Sequence, residues 1–390
     1  MRALLVALIA CLLLDACALR HRLHRHAATS TSIAAPALPQ RATHEVPAAF
    51  VGEPQPIRDL DSIASWLAPG GASWVIATAS KSDQLAVFDG DSGKRLRAVG
   101  SSGTGAGQFR HPAGIVAFAD LLFVVERDNH RVQVLQLPDF KPLGNFGGDQ
   151  LHNPVALWLH ETAPEEYEVL VADQSPAIPS TAHPRIESGA GSEPVEGSNH
   201  NQQNAPLPQS GQQIKRYHVR TDDGVLHADY VATFDDSTAG GALRSVESIA
   251  GDDDNGRLAI AAEPGNTGAR VRLYGMDGRY TGKNLGAEQF RTHAGGMALF
   301  ACADGSGYWI SVDREATRSE FLLFDRKTLA YLGAFTGNGV ADTSGIVLQP
   351  ASTTRFPNGA LYAVSNGASI AAFDWREVER ALQLKPDCGP

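Results

Sequence analysis

The chain has 390 residues, of which 43% are hydrophobic and 19% charged, so it carries enough apolar material for a sizeable packed core. Its formal charge of -10 repels polyanions on average and argues against a nucleic acid partner. The 39 Gly and 22 Pro suit a fold with many tight turns.

The chain opens with Arg2 and an apolar run from Ala3 to Leu14, too short to span a bilayer, and then reads Leu14-Asp15-Ala16-Cys17. This pattern resembles a bacterial lipoprotein signal, and the resemblance implies cleavage before Cys17 and lipidation of its thiol. Ala18 behind the Cys directs such an anchor to the outer membrane. The other reading is an ordinary secretory signal with an incidental Cys, which leaves the protein periplasmic or secreted. Membrane contact is expected through the lipid anchor alone. With Cys11 removed and Cys17 lipidated, Cys302 and Cys388 remain, a pair that an oxidising compartment allows to bridge. Residues 18–55, rich in Ala, Thr, Ser and Pro, read as a flexible tether. Its His21, His24 and His26 alternate with Arg20, Arg22 and Arg25, a pattern suited to lipid head groups rather than a metal.

From Trp74 onward, short β-rich segments are separated by turn residues. The first unit runs through 74–79, 84–88 and 95–99, and the second through 114–118, 121–126, 131–137 and 142–146. A third covers 155–160, 168–172, 214–219 and 230–234, and a fourth 248–251, 257–262, 270–274 and 280–283. A fifth covers 296–301, 307–312, 320–324 and 331–335, and the last 345–349, 359–365 and 369–374. Repetition of this kind predicts an all-β fold, a six-bladed β-propeller of four-stranded antiparallel blades spanning residues 56–382, with 383–390 as a tail. A strand within residues 56–67 is expected to complete the last unit and close the ring, which removes unpaired edges. Residues 174–213, dominated by Ser, Pro, Gly, Asn and Gln, read as a disordered insertion inside the third unit.

Gly107-Gln-Phe-Arg-His-Pro-Ala-Gly-Ile115 followed by Phe123-Val-Val-Glu-Arg-Asp-Asn-His-Arg-Val-Gln-Val134 resembles an NHL repeat. Asp128 and Asn129 suit the turn between its strands, and Arg127 and Arg131 are candidates for a ligand surface.

The remaining units resemble the β-propeller phytases, over most of residues 57–382. The motifs that carry the resemblance are Val246–Glu263, Ala303-Asp-Gly-Ser-Gly-Tyr-Trp309, Thr343-Ser-Gly-Ile346 with Phe356–Tyr362, and Phe373-Asp-Trp375, which is similar to the family's closing strand. The resemblance implies calcium-dependent removal of phosphate from phytate, with calcium ions that screen the phosphates and activate a water. It assigns catalytic and calcium-binding roles to Glu247 and Glu263 and a phosphate-binding role to Lys81, which follows Trp74-Val-Ile-Ala-Thr78. Asp252, with Asp253 and Asp254, reads either as a further calcium ligand or as an acidic turn before Gly256. Several positions depart from the family pattern: Ala262 where it has Glu, Ala294-Gly295-Gly296 where it has an acid before Gly, Ser344 near an Asp, and Ser365-Asn366-Gly367 for Gln-Asp-Gly. Each lost carboxylate removes a charge and one or two oxygens from a calcium cluster.

Two functions follow as expectations. One is an exported phosphomonoesterase acting on phytate or a similar phosphorylated small molecule. The other is a propeller without catalysis that holds a ligand or an envelope protein.

Overall fold

In the computed structural model, residues 43–174, 212–222, 224–236, 238, 240–243, 245–263 and 270–385 are described. The signal segment, Cys17 and all but the edges of the 174–213 insertion lie outside them. Six antiparallel sheets follow one another along the chain as a six-bladed β-propeller. Blade 1 contains Leu60–Leu67, Ser73–Ala79, Gln84–Asp89 and Arg95–Val99. Blade 2 contains Pro112–Phe118, Leu121–Glu126, Arg131–Gln136 and Lys141–Phe146. Blade 3 contains Pro154–Ala163, Glu166–Asp173, Gln212–Asp222 and Val225–Asp235. Blade 4 contains Val246–Asp252, Arg257–Ala262, Val271–Gly275 and Tyr280–Asn284. Blade 5 contains His293–Ala301, Gly307–Arg314, Glu320–Asp325 and Tyr331–Thr336. Blade 6 contains Ile346–Gln349, Ala360–Ser365 and Ser369–Asp374.

The first strand of each blade lies innermost and touches the first strands of the blades before and after it, the sixth meeting the first, so they enclose a central channel. Because each sheet is radial, alternate side chains face the two neighbouring blades. In blade 4, Leu258 and Ile260 face blade 3, while Ala259 and Ala261 face blade 5. Six apolar clusters result, one in each gap between blades, and they form the core.

The ring is not closed by residues 56–67. Leu60–Leu67 is the innermost strand of blade 1, paired with its hairpin neighbour Ser73–Ala79 and burying Leu60, Ile63, Ala64 and Trp66. A short turn makes that pairing cheaper in loop entropy than one with the far end of the chain. The closing strand is Phe50–Val51, which pairs antiparallel with blade 6 at Ala372 and Ala371. Just before it, Thr43–Glu45 adds a fifth, parallel strand to the outer edge of blade 5. Val46, between the two, is 1% exposed. The folded body therefore includes Thr43–Glu45 and Phe50–Val51, inside the segment read as tether; strands of two and three residues are too short to show any periodicity. At the other end, Phe373 belongs to the third strand of blade 6, and Trp375 is not in a strand. Asp374 accepts the Arg376 N–H at 3.0 Å and caps a helix, Trp375–Leu382, that buries Trp375, Val378 and Leu382 between blades 5 and 6.

At one end of the channel the innermost strands nearly touch. A Cβ on Gly345 would lie 2.5 Å from the Asp61 carbonyl oxygen, and one on Gly296 would lie 2.7 Å from the Ile346 nitrogen. Hydroxyls join blades there: Thr78 donates to the Ala113 carbonyl (2.8 Å), Ser248 to Gly295 (2.7 Å) and Ser344 to Asp61 (2.8 Å).

Candidate functional site

The channel opens into a cavity of about 470 Å3 lined by all six innermost strands, with Asp61, His111, Arg127 and Glu247 at its mouth. At this end the pairing of the first two strands slips in blades 1 to 5, between Leu60 and Ile63, Val124 and Glu126, Pro154 and Ala156, Val246 and Ser248, and Ala294 and Met297. Such a bulge breaks the alternation and re-aims the extra side chain. Asp61 in blade 1 and Glu247 in blade 4 occupy that position, each second in its strand, and both line the cavity instead of an inter-blade gap.

The mouth repeats across the ring. Blades 1 and 4 lie opposite each other and carry Asp61 and Glu247. Blades 2 and 5, also opposite, each carry a His just before or at the start of the innermost strand (His111, His293) and an Arg at the end of the second strand (Arg127, Arg314). Carboxyls thus span one diameter and cations another. Glu247 is shared with an adjoining cavity of about 640 Å3 between blades 4 and 5, lined by His293, Arg314 and Asp342.

Burial pushes the Asp61 carboxyl above the usual carboxylate range, and the nearby Arg314, His111 and Arg127 only offset this. Glu247 is exposed to the solvent of the mouth, but partial desolvation by the surrounding strands still raises its carboxyl, with Asp61 and Glu263 adding repulsion against the pull of Arg314 and His293. Burial and the neighbouring Arg127 lower His111, which keeps the imidazole neutral and able to accept from Arg127 Nη2 at 3.0 Å through Nδ1. Arg127 also bonds Asp128 (2.8 Å), and Arg314 bonds Asp342 (2.6 Å). Both arginines remain partly open to solvent, with side chains 36% exposed.

Of the residues singled out in the sequence, Arg127, Glu247 and Glu263 come to this mouth, and Lys81 sits exposed on the matching turn of blade 1. Two do not. Arg131 is 9% exposed and fully engaged: Nε binds Glu126 at 2.7 Å, Nη1 the Thr104 carbonyl at 2.7 Å, and Nη2 the carbonyls of Gly105 and Gln108. It anchors the 103–109 loop and offers nothing to a ligand. Asp252 ends the strand that Glu247 begins, so it lies at the opposite end of the channel wall. There it is 0% exposed and holds Arg326 of blade 5 through both oxygens, at 3.0 and 2.5 Å. The residues after it form the acidic turn, a 3-10 turn Asp253–Asn255 ended by Gly256 at φ 61°.

The sequence reading missed Asp61, His111, His293 and Arg314. Arg314 had a signal: Val312-Asp-Arg314 in blade 5 repeats Val125-Glu-Arg127 in blade 2. Asp61 had none, because the bulge that turns it inward leaves no mark in an alternating pattern.

Calcium takes about six to eight oxygen ligands. The mouth instead sets one carboxyl on each of two opposite blades, with arginines nearby, and the Asp342 carboxylate binds Arg314. Among the described residues, no three His, Cys, Asp or Glu side chains stand together as a metal set.

No family model matches the chain, and no curated protein matches it. Among solved structures, it is similar to Kuenenia stuttgartiensis hydrazine synthase at 12% identity and TM-score 0.40, covering 79% of this chain and 82% of that one. It is similar to a chain of a nidogen/laminin complex at 10% identity and TM-score 0.45, covering 74% and 84%.

Proposed function

We propose that the protein is an exported binding propeller that holds a phosphorylated small molecule across its channel mouth without hydrolysing it. The observation that carries this reading is the pair of arginines at matching positions of opposite blades: Arg127 lines the cavity of about 470 Å3, and Arg314 lines the adjoining cavity of about 640 Å3 that shares Glu247 with it. Guanidinium groups bind phosphate oxygens in a fixed fork, and two of them lining joined cavities suit a ligand with more than one anionic group. Lys81 adds a third cation from blade 1. Asp61 and Glu247, while protonated, donate to a phosphate or a ligand hydroxyl instead of repelling it. Export draws on the N-terminal signal pattern and on Cys302, which is disulfide-bonded, as suits an oxidising compartment.

The second reading is the phosphomonoesterase implied by the phytase resemblance. It is favoured by Glu247, whose raised carboxyl at the cavity mouth is the kind of perturbed group that serves as a general acid. One experiment separates the two: titration calorimetry and phosphate release with phytate, each with calcium and with chelator. The binding reading expects heat of binding in both conditions, no phosphate release, and loss of binding in Arg127→Ala and Arg314→Ala. Calcium-dependent release that disappears in Glu247→Ala overturns it in favour of the enzyme. For the anchor, Cys17→Ser is expected to move the protein out of the membrane fraction; unchanged fractionation refutes lipidation.

A further inference from the structure

A device recurs at the end of the second strand of three blades. Glu126, Asp173 and Asp313 each end or nearly end that strand and turn back to hold the backbone entering the innermost strand. Glu126 accepts the Arg110 N–H at 3.2 Å. Asp173 accepts those of His152 and Asn153 at 2.9 and 2.6 Å. Asp313 accepts those of Arg291 and Thr292 at 2.8 and 2.9 Å. In blade 2 the third strand completes the arrangement: Arg131 Nε and Gln133 Nε2 donate to Glu126 at 2.7 and 2.9 Å.

In blade 4 the strand register puts Ala262 at the place of Glu126, and Arg270 and Arg272 at those of Arg131 and Gln133. The carboxylate is missing, and two arginines stand where blade 2 has an arginine and a glutamine. Arg270 reaches across to the Arg291 carbonyl at 3.5 Å. Arg272 is 1% exposed, and its Nε and Nη1 have no hydrogen-bond partner among the described residues. It shares the face of Ile260 and Ala262, in the gap between blades 3 and 4. Blades 1 and 6 also lack the acid, having Ala79 and Ser365, but their counterparts of Arg272 are Ala86 and Ala371. Blade 4 alone keeps a buried cation where its carboxylate is absent.

A guanidinium does not deprotonate, and a buried charge without a partner is strongly destabilising. From this geometry we propose that the gap beside Arg272 and Ala262 binds a small monovalent anion, a halide or a carboxylate, in the place the side-chain carboxylate takes in blades 2, 3 and 5. The anion is a structural ligand of the blade 3–blade 4 interface, separate from the channel mouth. It binds the folded chain only, so it raises stability in proportion to its occupancy.

The test is thermal unfolding of the whole protein at constant ionic strength and in chelator, with sodium gluconate replaced stepwise by sodium chloride or by sodium formate. The wild type is expected to gain about 2 °C or more in Tm with at least one of the two anions. The response to chloride against formate tells a halide site from a carboxylate site. Ala262→Asp, which returns the carboxylate, is expected to start at a higher Tm and show no anion response. Arg272→Leu, the residue blade 5 has at this position in Leu322, is expected to lose the response as well. A wild type insensitive to both anions overturns the proposal, as does an undiminished response in either variant.

Discussion

Asp61 and Glu247 hold the same position on blades that face each other across the channel, each displaced toward the axis by a bulge in its innermost strand. Desolvation holds both carboxyls above their ordinary values. The folded chain therefore keeps protons that the unfolded chain releases from about pH 4 upward, and stability falls as pH rises through that window. Asp61→Asn and Glu247→Gln should raise Tm at pH 7 and leave it unchanged near pH 3, where the carboxyls are neutral in both states. A Tm loss at pH 7 would show that Arg314 stabilises the ionised forms by more than burial costs.

The same titration governs the ligand. An anionic guest meets neutral carboxyls at low pH and like charges at high pH. Phytate affinity should weaken as pH rises above the ordinary carboxylate range, although the ligand itself gains charge. In the Asp61→Asn/Glu247→Gln double variant this decline should flatten. Calorimetry across that range decides it; a decline as steep in the double variant as in the wild type places the sensitivity elsewhere.

Asp252 and Arg326 form a two-pronged ion pair that is 0% and 1% exposed and joins blades 4 and 5, with Asp254 adding a contact to Arg326 at 2.7 Å. Removing one partner strands the other charge in the interface. Asp252→Ala should cost about 3–5 kcal/mol in denaturant unfolding. The exposed Asp254→Ala should cost about 1 kcal/mol or less. Equal effects would contradict the burial argument.

Gly345 brings the backbone of blade 6 hard against that of blade 1. Gly345→Ala should cost about 1–3 kcal/mol through the clash with the Asp61 carbonyl. Because that carbonyl belongs to a mouth residue, the same change should weaken ligand binding. Loss of stability with unaltered affinity would mean that the two strands part without moving the Asp61 side chain.

Chains beginning at residue 53 should lose both added strands and leave the outer edges of blades 5 and 6 unpaired. Lower Tm and concentration-dependent association are expected relative to chains beginning at residue 41, read by thermal unfolding and light scattering. Equal behaviour of the two would show that the ring holds without its N-terminal strands.

The blades were legible because strands such as Arg257–Ala262 and Ser369–Asp374 carry apolar runs bounded by turn residues. What stayed hidden depended on partners far away in the chain. Phe50–Val51 is a strand only because blade 6 offers an open edge, and nothing in those two residues announces it. At the site, Arg127 and Glu247 could be picked out from local motifs. Arg131 and Asp252, chosen on the same grounds, are consumed by Glu126 and Arg326, contacts set by register and by the packing of one blade on the next.

The fastening of the ring also imposes a timetable. Thr43–Glu45 and Phe50–Val51 leave the ribosome before any blade exists, yet their partners, Ala334–Thr336 and Ala371–Ala372, are made nearly last. Through most of synthesis this leading segment has nowhere to dock, and blades 5 and 6 stay open-edged until it arrives. Joining them pairs residues far apart in the chain, contacts of high contact order. A chain cut short before blade 6 leaves Phe50–Val51 without its edge, so truncated products are left visibly unfinished.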